Sequence, residues 1–162
     1  GGIVEPSGKS RRQGIDVGFR YQPLHWLFMY SDLNIANPRS VEDAEGENFI
    51  PLAPTLTNTG GLSFNAGKKV SGGLRYRHVA DRPANEDNSI VAIGYTVLDF
   101  NVNYTIKKVM LSLEINNLLD TEWNETQFAT ESRLRTEAAS VEEIHFTPGT
   151  PLFVKGKVTY MF

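Results

Sequence analysis

Apolar and polar residues alternate with a period of two through most of this sequence, and few folds tolerate that pattern. The clearest stretch is residues 98–106. Leu98, Phe100, Val102, Tyr104 and Ile106 fall on one face, and Asp99, Asn101, Asn103 and Thr105 on the other. After Lys107-Lys108 the pattern restarts, with Val109, Leu111, Leu113 and Ile115 opposite Ser112, Glu114 and Asn116. Two alternating runs joined by two residues predict a β-hairpin. Residues 14–22, 24–35, 55–66, 71–79 and 152–162 read as further strands, although the two faces of 24–35 are ambiguous. No comparable stretch has a helical period. The expected fold is all-β and antiparallel, with about seven strands, most of them about 9–12 residues long, enough to cross a bilayer at a tilt.

A soluble sandwich and a membrane barrel both alternate, so the connections must separate them. Residues 22–24, 67–69 and 107–108 are tight turns. Residues 36–53, 81–90 and 119–151 are long and polar. Short turns at one end and long loops at the other are the habit of outer-membrane barrels. Aromatic residues near strand ends (Tyr21, Trp26, Tyr95, Tyr104, Tyr160, Phe162) fit the interfacial girdles of such barrels. The apolar face would then meet outer-membrane lipid, and the polar face would line a wet lumen.

Composition narrows the functions. The 162 residues are 40% hydrophobic and 22% charged, with a formal net charge of −3. That balance gives no electrostatic footprint for nucleic acid. No apolar run is long enough for a transmembrane helix. With no cysteine, thiolate metal sites and Cys nucleophiles drop out. Gly1 opens the sequence without a signal-peptide pattern, which predicts either a removed leader or a piece of a longer chain. Parity favours the second. If the last strand runs inward to the periplasm, so does the first of seven, and residues 1–13 lie outside the cell. Single-chain bacterial barrels have even strand numbers. Seven strands should therefore form an open, curved sheet that is the C-terminal part of a larger barrel.

Four stretches resemble the C-terminal portion of TonB-dependent outer-membrane receptors. Ser10-Arg11-Arg12-Gln13-Gly14-Ile15-Asp16 resembles the family's entry to a barrel strand. Ile50-Pro51-Leu52-Ala53-Pro54 resembles the start of a later one. Leu113-Glu114-Ile115-Asn116-Asn117-Leu118-Leu119-Asp120 resembles the segment before the last long loop. Pro148-Gly149-Thr150-Pro151 resembles the opening of the final strand, except that Leu152 stands where the family often has Arg. Val158, Tyr160 and Phe162 resemble the terminal signal read by the barrel-assembly machinery, where an alternating strand can add to a sheet edge. The resemblance implies a barrel of about 22 strands. Residues 1–162 would be its C-terminal part, with a plug domain and a TonB-contacting segment upstream. It further implies a Gram-negative outer membrane and TonB-coupled uptake of a scarce ligand: a ferric siderophore, haem, cobalamin or a glycan. A plug-free porin or an adhesive barrel would explain the alternation and the terminal Phe, but not the four stretches in order.

Candidate sites are sparse. Gly8-Lys9-Ser10 lacks the glycine that a phosphate loop needs at position 3, which is Ile3. Asp43, Glu45 and Glu47 lack the spacing of a calcium loop and read as a solvated charge run. His25, His78 and His145 form no metal-ligand pair, and neither Ser71 nor Ser112 sits in a nucleophile elbow. No enzyme activity, metal or cofactor is expected. Arg20, Arg75, Arg77, Lys155 and Lys157 should line the lumen, where they would hold an anionic ligand, meet plug carboxylates, or be neutralised by Asp16, Asp99 and Glu114. The last long loop is acidic with a few aromatics. From these regions Arg75, Arg77, Trp123, Arg133, Arg135 and His145 are the candidate ligand contacts.

Overall fold

The computed structural model describes residues 8–162, and among them eleven strands form and no helix. In chain order they are β1 (Ser10–Leu24), β2 (Leu27–Ser40), β3 (Leu56–Ala66), β4 (Val70–Val79), β5 (Arg82–Pro83), β6 (Val91–Ala92), β7 (Tyr95–Ile106), β8 (Val109–Asn116), β9 (Asn124–Ser132), β10 (Val141–Pro148) and β11 (Phe153–Tyr160). Seven make one antiparallel sheet in the order β1-β2-β3-β4-β7-β8-β11. These are the seven strands expected from the alternation. The sheet is open, with β1 and β11 as its edges. Residues 1–7, part of the segment expected outside the cell, lie outside the described residues.

The pairing register carries the alternation from strand to strand. Ile15 of β1 faces Ile35 of β2, which faces Leu56 of β3. Leu62, Leu74, Phe100, Ile115 and Val154 form an unbroken row across β3, β4, β7, β8 and β11. A one-residue slip at any pairing would turn a strand's apolar residues to the other face, so the pattern fixes the register. The resulting apolar face is bare: Phe19 is 50% exposed and Val158 72%. A continuous exposed apolar surface marks a face meant to be covered. The opposite, polar face borders a trough of about 870 Å³, whose lining includes Ser63, Asn101, Asn103 and Lys157. The sheet therefore curves around its polar side.

Two features break the apolar face. Tyr76 lies across Gly60, where a Cβ would come 2.7 Å from its hydroxyl oxygen. That hydroxyl donates to Asn58 Oδ1 at 3.0 Å and lies 2.9 Å from Ser31 Oγ, which itself donates to Asn58 Oδ1 at 3.0 Å. Further along, His78 Nδ1 lies 2.8 Å from Thr96 Oγ1. The Tyr76 ring covers backbone that Gly60 leaves bare, and its hydroxyl finds partners without water.

Several boundaries differ from the sequence reading. The turn expected at residues 22–24 lies at His25-Trp26, because β1 continues through Pro23 to Leu24 with a bulge after Tyr21. Proline is tolerated there because it lies in the bulge, between the Tyr21–Met29 and Leu24–Leu27 pairs and outside the ladder. The loop expected from Ala36 begins after Ser40, because β2 stays paired with β1 that far. The long loops are also not plain coil. Residues 81–90 hold β5, which pairs with β6, and residues 119–151 hold the β9-β10 hairpin. The parity of β2 is now settled: Leu27, Met29, Leu33 and Ile35 lie on the apolar face, and Phe28, Tyr30, Asp32 and Asn34 on the polar one.

Candidate functional site

The polar face carries three cross-strand ion pairs. Arg20 reaches both carboxylate oxygens of Asp32 at 2.9 Å. Arg75 meets Asp99 at 3.1 Å, and Lys155 meets Glu114 at 2.7 Å. Asp99 and Glu114 thus neutralise wall cations as expected. Asp16 does not: it accepts from Asn34, and the partner of Arg20 is Asp32, hidden in the ambiguous strand. All three pairs are solvent-exposed, and such pairs are each worth about 0–1 kcal/mol. They keep the wall hydrated and close to neutral; they do not hold the sheet together.

Arg77 is different. Among the described residues no carboxylate lies within ion-pair distance of it. Its guanidinium stands 5.2 Å from the Trp123 ring centroid and 5.8 Å from that of Tyr95. The two rings are 4.7 Å apart and tilted at 48°. This places Arg77 and Trp123, two of the sequence candidates, side by side, and adds Tyr95, which the sequence had marked only as a strand-end aromatic. Aromatic faces stabilise a cation without neutralising it. The guanidinium keeps its donors for an anionic or carbonyl-bearing group.

The position of Trp123 follows from two of the short motifs. Asn117 takes φ 52°, a left-handed conformation that Asn tolerates better than most residues. Its amide donates to the carbonyls of Thr121 and Thr150 and accepts from the Thr121 N–H. Asp120 accepts from the Leu152 N–H. The exit of β8 is thereby tied to the entry of β11. Gly149 lies beneath Trp123, where any Cβ would overlap the ring, and its N–H donates to the Trp123 carbonyl. Trp123 Nε1 donates to Thr150 O at 3.0 Å.

The three loop segments lock together at this end. Phe49 and Leu52 of the first loop donate to the carbonyls of Glu86 and Pro83 in the second. Gln127 of β9 is 2% exposed; it donates to Ile93 O at 2.7 Å and accepts from Ile93 N at 3.0 Å. Asn85 donates to Ser89 and to Glu142 of β10 and accepts from the Ile90 N–H. Among the described residues, buried Ala36, Pro38, Pro83, Ala84, Asn85, Ala92, Val97, Asn117 and Gln127 lie at or beside this loop end, while buried Gly60 lies beneath Tyr76 within β3. In a nearby turn, the Ser89 N–H and hydroxyl hold the Asp87 carboxyl below the usual carboxylate range.

The remaining candidates are scattered. Arg133 and Arg135 occupy the connection between β9 and β10, exposed and roughly 30 Å along the strand from Trp123. His145 stacks on Phe128 with centroids 5.8 Å apart, and its Nε2 lies 3.8 Å from Glu143 Oε1. It sits on the hairpin face opposite Gln127, because neighbouring strand positions alternate. Val158, Tyr160 and Phe162 are exposed on the apolar side, with Tyr160 and Phe162 edge-to-face at 5.4 Å. No group of three or more metal-ligating side chains converges among the described residues.

Comparison with known proteins gives a consistent fold. A family model described as TonB dependent receptor-like, beta-barrel, matches residues 2–118. Comparison with curated protein sequences finds no match. Among solved structures, the ferric yersiniabactin uptake receptor FyuA from Yersinia pestis superposes with a TM-score of 0.68 at 14% identity, covering 96% of this chain and 24% of that one. The siderophore receptor PiuA from Acinetobacter baumannii gives 0.69 at 14%, covering 94% and 22%. The copper transporter OprC gives 0.67 at 22%, covering 94% and 24%. At these identities the likeness is one of fold. The chain spans about a quarter of the length of the structures it matches.

Proposed function

The chain belongs to the TonB-dependent receptor-like β-barrel family, and from that premise we propose that it forms part of the wall of an outer-membrane receptor for TonB-coupled uptake of a scarce ligand. The observation that carries the reading is the sheet itself: one face that is apolar except around Tyr76 and His78, one concave polar face, tight turns at one end and interlocked loops at the other. In this reading the apolar face meets lipid, the turns are periplasmic, and the loops are external. A plug domain elsewhere in the protein occupies the trough and contacts TonB. Val158, Tyr160 and Phe162 present the edge recognised by the barrel-assembly machinery.

Ligand capture centres on Arg77, with Trp123 and Tyr95 as its walls. Arg75, already paired with Asp99, contributes less. Arg133, Arg135 and His145 would meet ligand only at the outer rim. The cargo class is a ferric siderophore, haem, cobalamin or a glycan, and no covalent chemistry is involved. The test uses the full-length protein. Uptake of a panel of these ligands by expressing cells should require TonB, and the purified protein should hold a planar bilayer closed to ions. Steady ion conductance without an energy source would instead establish a passive pore.

A further inference from the structure

On the outward face of β1 and β2, two arginines stand directly opposite each other. The register pairs Arg11 with Arg39, both on the side that carries Ile15, Val17, Leu33 and Ile35. Cross-strand partners have Cβ atoms about 5 Å apart, and like charges there are destabilising. Among the described residues neither arginine has a carboxylate within ion-pair distance. Arg39 is held in place: its guanidinium lies 4.0 Å from the Phe49 ring centroid, and its Nη1 donates to Pro38 O at 3.1 Å. Lys9 follows on the same side of β1 and accepts, through its carbonyl, from the Val41 N–H. The Glu42 carboxylate lies against Gly8, beside Lys9.

The height of this pair identifies what fills it. The outward face changes character at one level on both strands. Ile15 faces Ile35, then Gln13 faces Asn37, then Arg11 faces Arg39. Four residues of strand span about 13 Å, or about 10 Å along the membrane normal at barrel tilt. The arginines therefore stand in the headgroup layer just beyond the hydrocarbon. We propose that Arg11 and Arg39, supported by Lys9, bind the phosphate of a lipid headgroup in the outer leaflet, with Gln13 and Asn37 hydrogen-bonding its hydroxyl-bearing part. A phosphate offers enough acceptor oxygens for both guanidinium forks and removes their repulsion. The proposal rests on the membrane reading above.

The test places the full-length protein in nanodiscs of phosphatidylcholine doped with diphosphorylated lipid A or with its phosphate-free counterpart. Lipid retained after detergent extraction is counted by native mass spectrometry. A basic residue near an anionic surface contributes about a fivefold gain in binding, so R11Q/R39Q should lower retention of the phosphorylated form about 25-fold. R11K/R39K should restore part of it. K107Q/K108Q, with the same charge change at the turn end, should behave as the unmodified protein. Unchanged retention in R11Q/R39Q overturns the proposal, as does an equal loss in K107Q/K108Q. Failure to insert in any bilayer would refute the membrane reading itself, whereas insertion without phosphate preference refutes only the arginine pair.

Discussion

Replacing Gln127 with alanine should open the loop cluster without loosening the barrel wall. The Gln127 amide is buried and spends one donor and its acceptor on a single residue, Ile93. Among the described residues, that reciprocal pairing is the only side-chain hydrogen bonding between β9 and residues 91–94. Q127A leaves the N–H and C=O of Ile93 unpaired beside Ala92, which is fully buried. Ile93 is itself 66% exposed, so water reaches the freed groups and the loss is that of the two hydrogen bonds, about 1–1.5 kcal/mol each. Without them the hairpin separates and admits water. The local opening free energy should fall by about 2–3 kcal/mol, an increase of about 30- to 150-fold in the open population. Hydrogen exchange on the full-length protein reads this directly. Protection should drop over residues 90–94 and 124–132 and stay unchanged in β3, β4 and β7. Q127E retains an acceptor for the Ile93 N–H but sets a carboxylate oxygen against the Ile93 carbonyl, so it should lose at least as much as Q127A. Unaltered protection at residues 90–94, or a uniform loss through the main sheet, would refute the reasoning.

Three further substitutions probe other parts. Gly149→Ala forces Trp123 off its seat and unstacks Arg77; overpacking costs about 1–3 kcal/mol, Trp123 emission in a Trp26→Phe background should shift to the red, and ligand capture should weaken. Tyr76→Phe removes the hydroxyl shared by Ser31 and Asn58 on the apolar face while leaving their own bond intact; the expected loss is about 0.6–2 kcal/mol in denaturant titration of the folded barrel. Lys107 holds φ 53° in the tight turn between β7 and β8; Lys107→Gly should relieve about 1 kcal/mol of left-handed strain and raise the temperature at which the barrel unfolds on a gel.

The strands were legible because the register needs only one repeated decision, which side is apolar. Residues 98–106 answer it at every position, and residues 109–116 at every position but Met110. Residues 24–35 do not, because Phe28 and Tyr30 sit opposite in parity to Leu27, Met29, Leu33 and Ile35. That mixture concealed Asp32, and with it the partner of Arg20. The loop hairpins were missed for another reason. In β9 and β10 polar residues occupy both faces, and one of the most buried side chains is an amide, Gln127. Hydropathy has no signal for a glutamine buried against backbone. Arg77 and Trp123 were both candidates, yet the fold alone joins them: the Asn117 ties and the space left by Gly149 set the ring beside β4.

Charge is sorted as sharply as burial, and together they fix the sign of a salt effect. Residues 41–55, 80–94 and 117–152 contain fourteen of the nineteen carboxylates and only three of the sixteen Lys and Arg residues. The loop cluster therefore repels itself, and short directed bonds from Gln127, Asn85 and Asn117 hold it closed against that repulsion. On the wall the balance is reversed, since Arg20, Arg75 and Lys155 each face an acid. The Debye length shrinks from about 30 Å at 0.01 M salt to about 3 Å at 1 M. Added salt weakens the exposed wall pairs and at the same time relaxes the repulsion among the loops. Exchange protection at residues 90–94 should rise with sodium chloride, while the contribution of Lys155 to barrel stability, read as the difference between the unmodified protein and Lys155→Met, should fall. If loop protection fell with salt instead, ion pairs and not buried amides would be holding the loops, and the role assigned to Gln127 would be wrong.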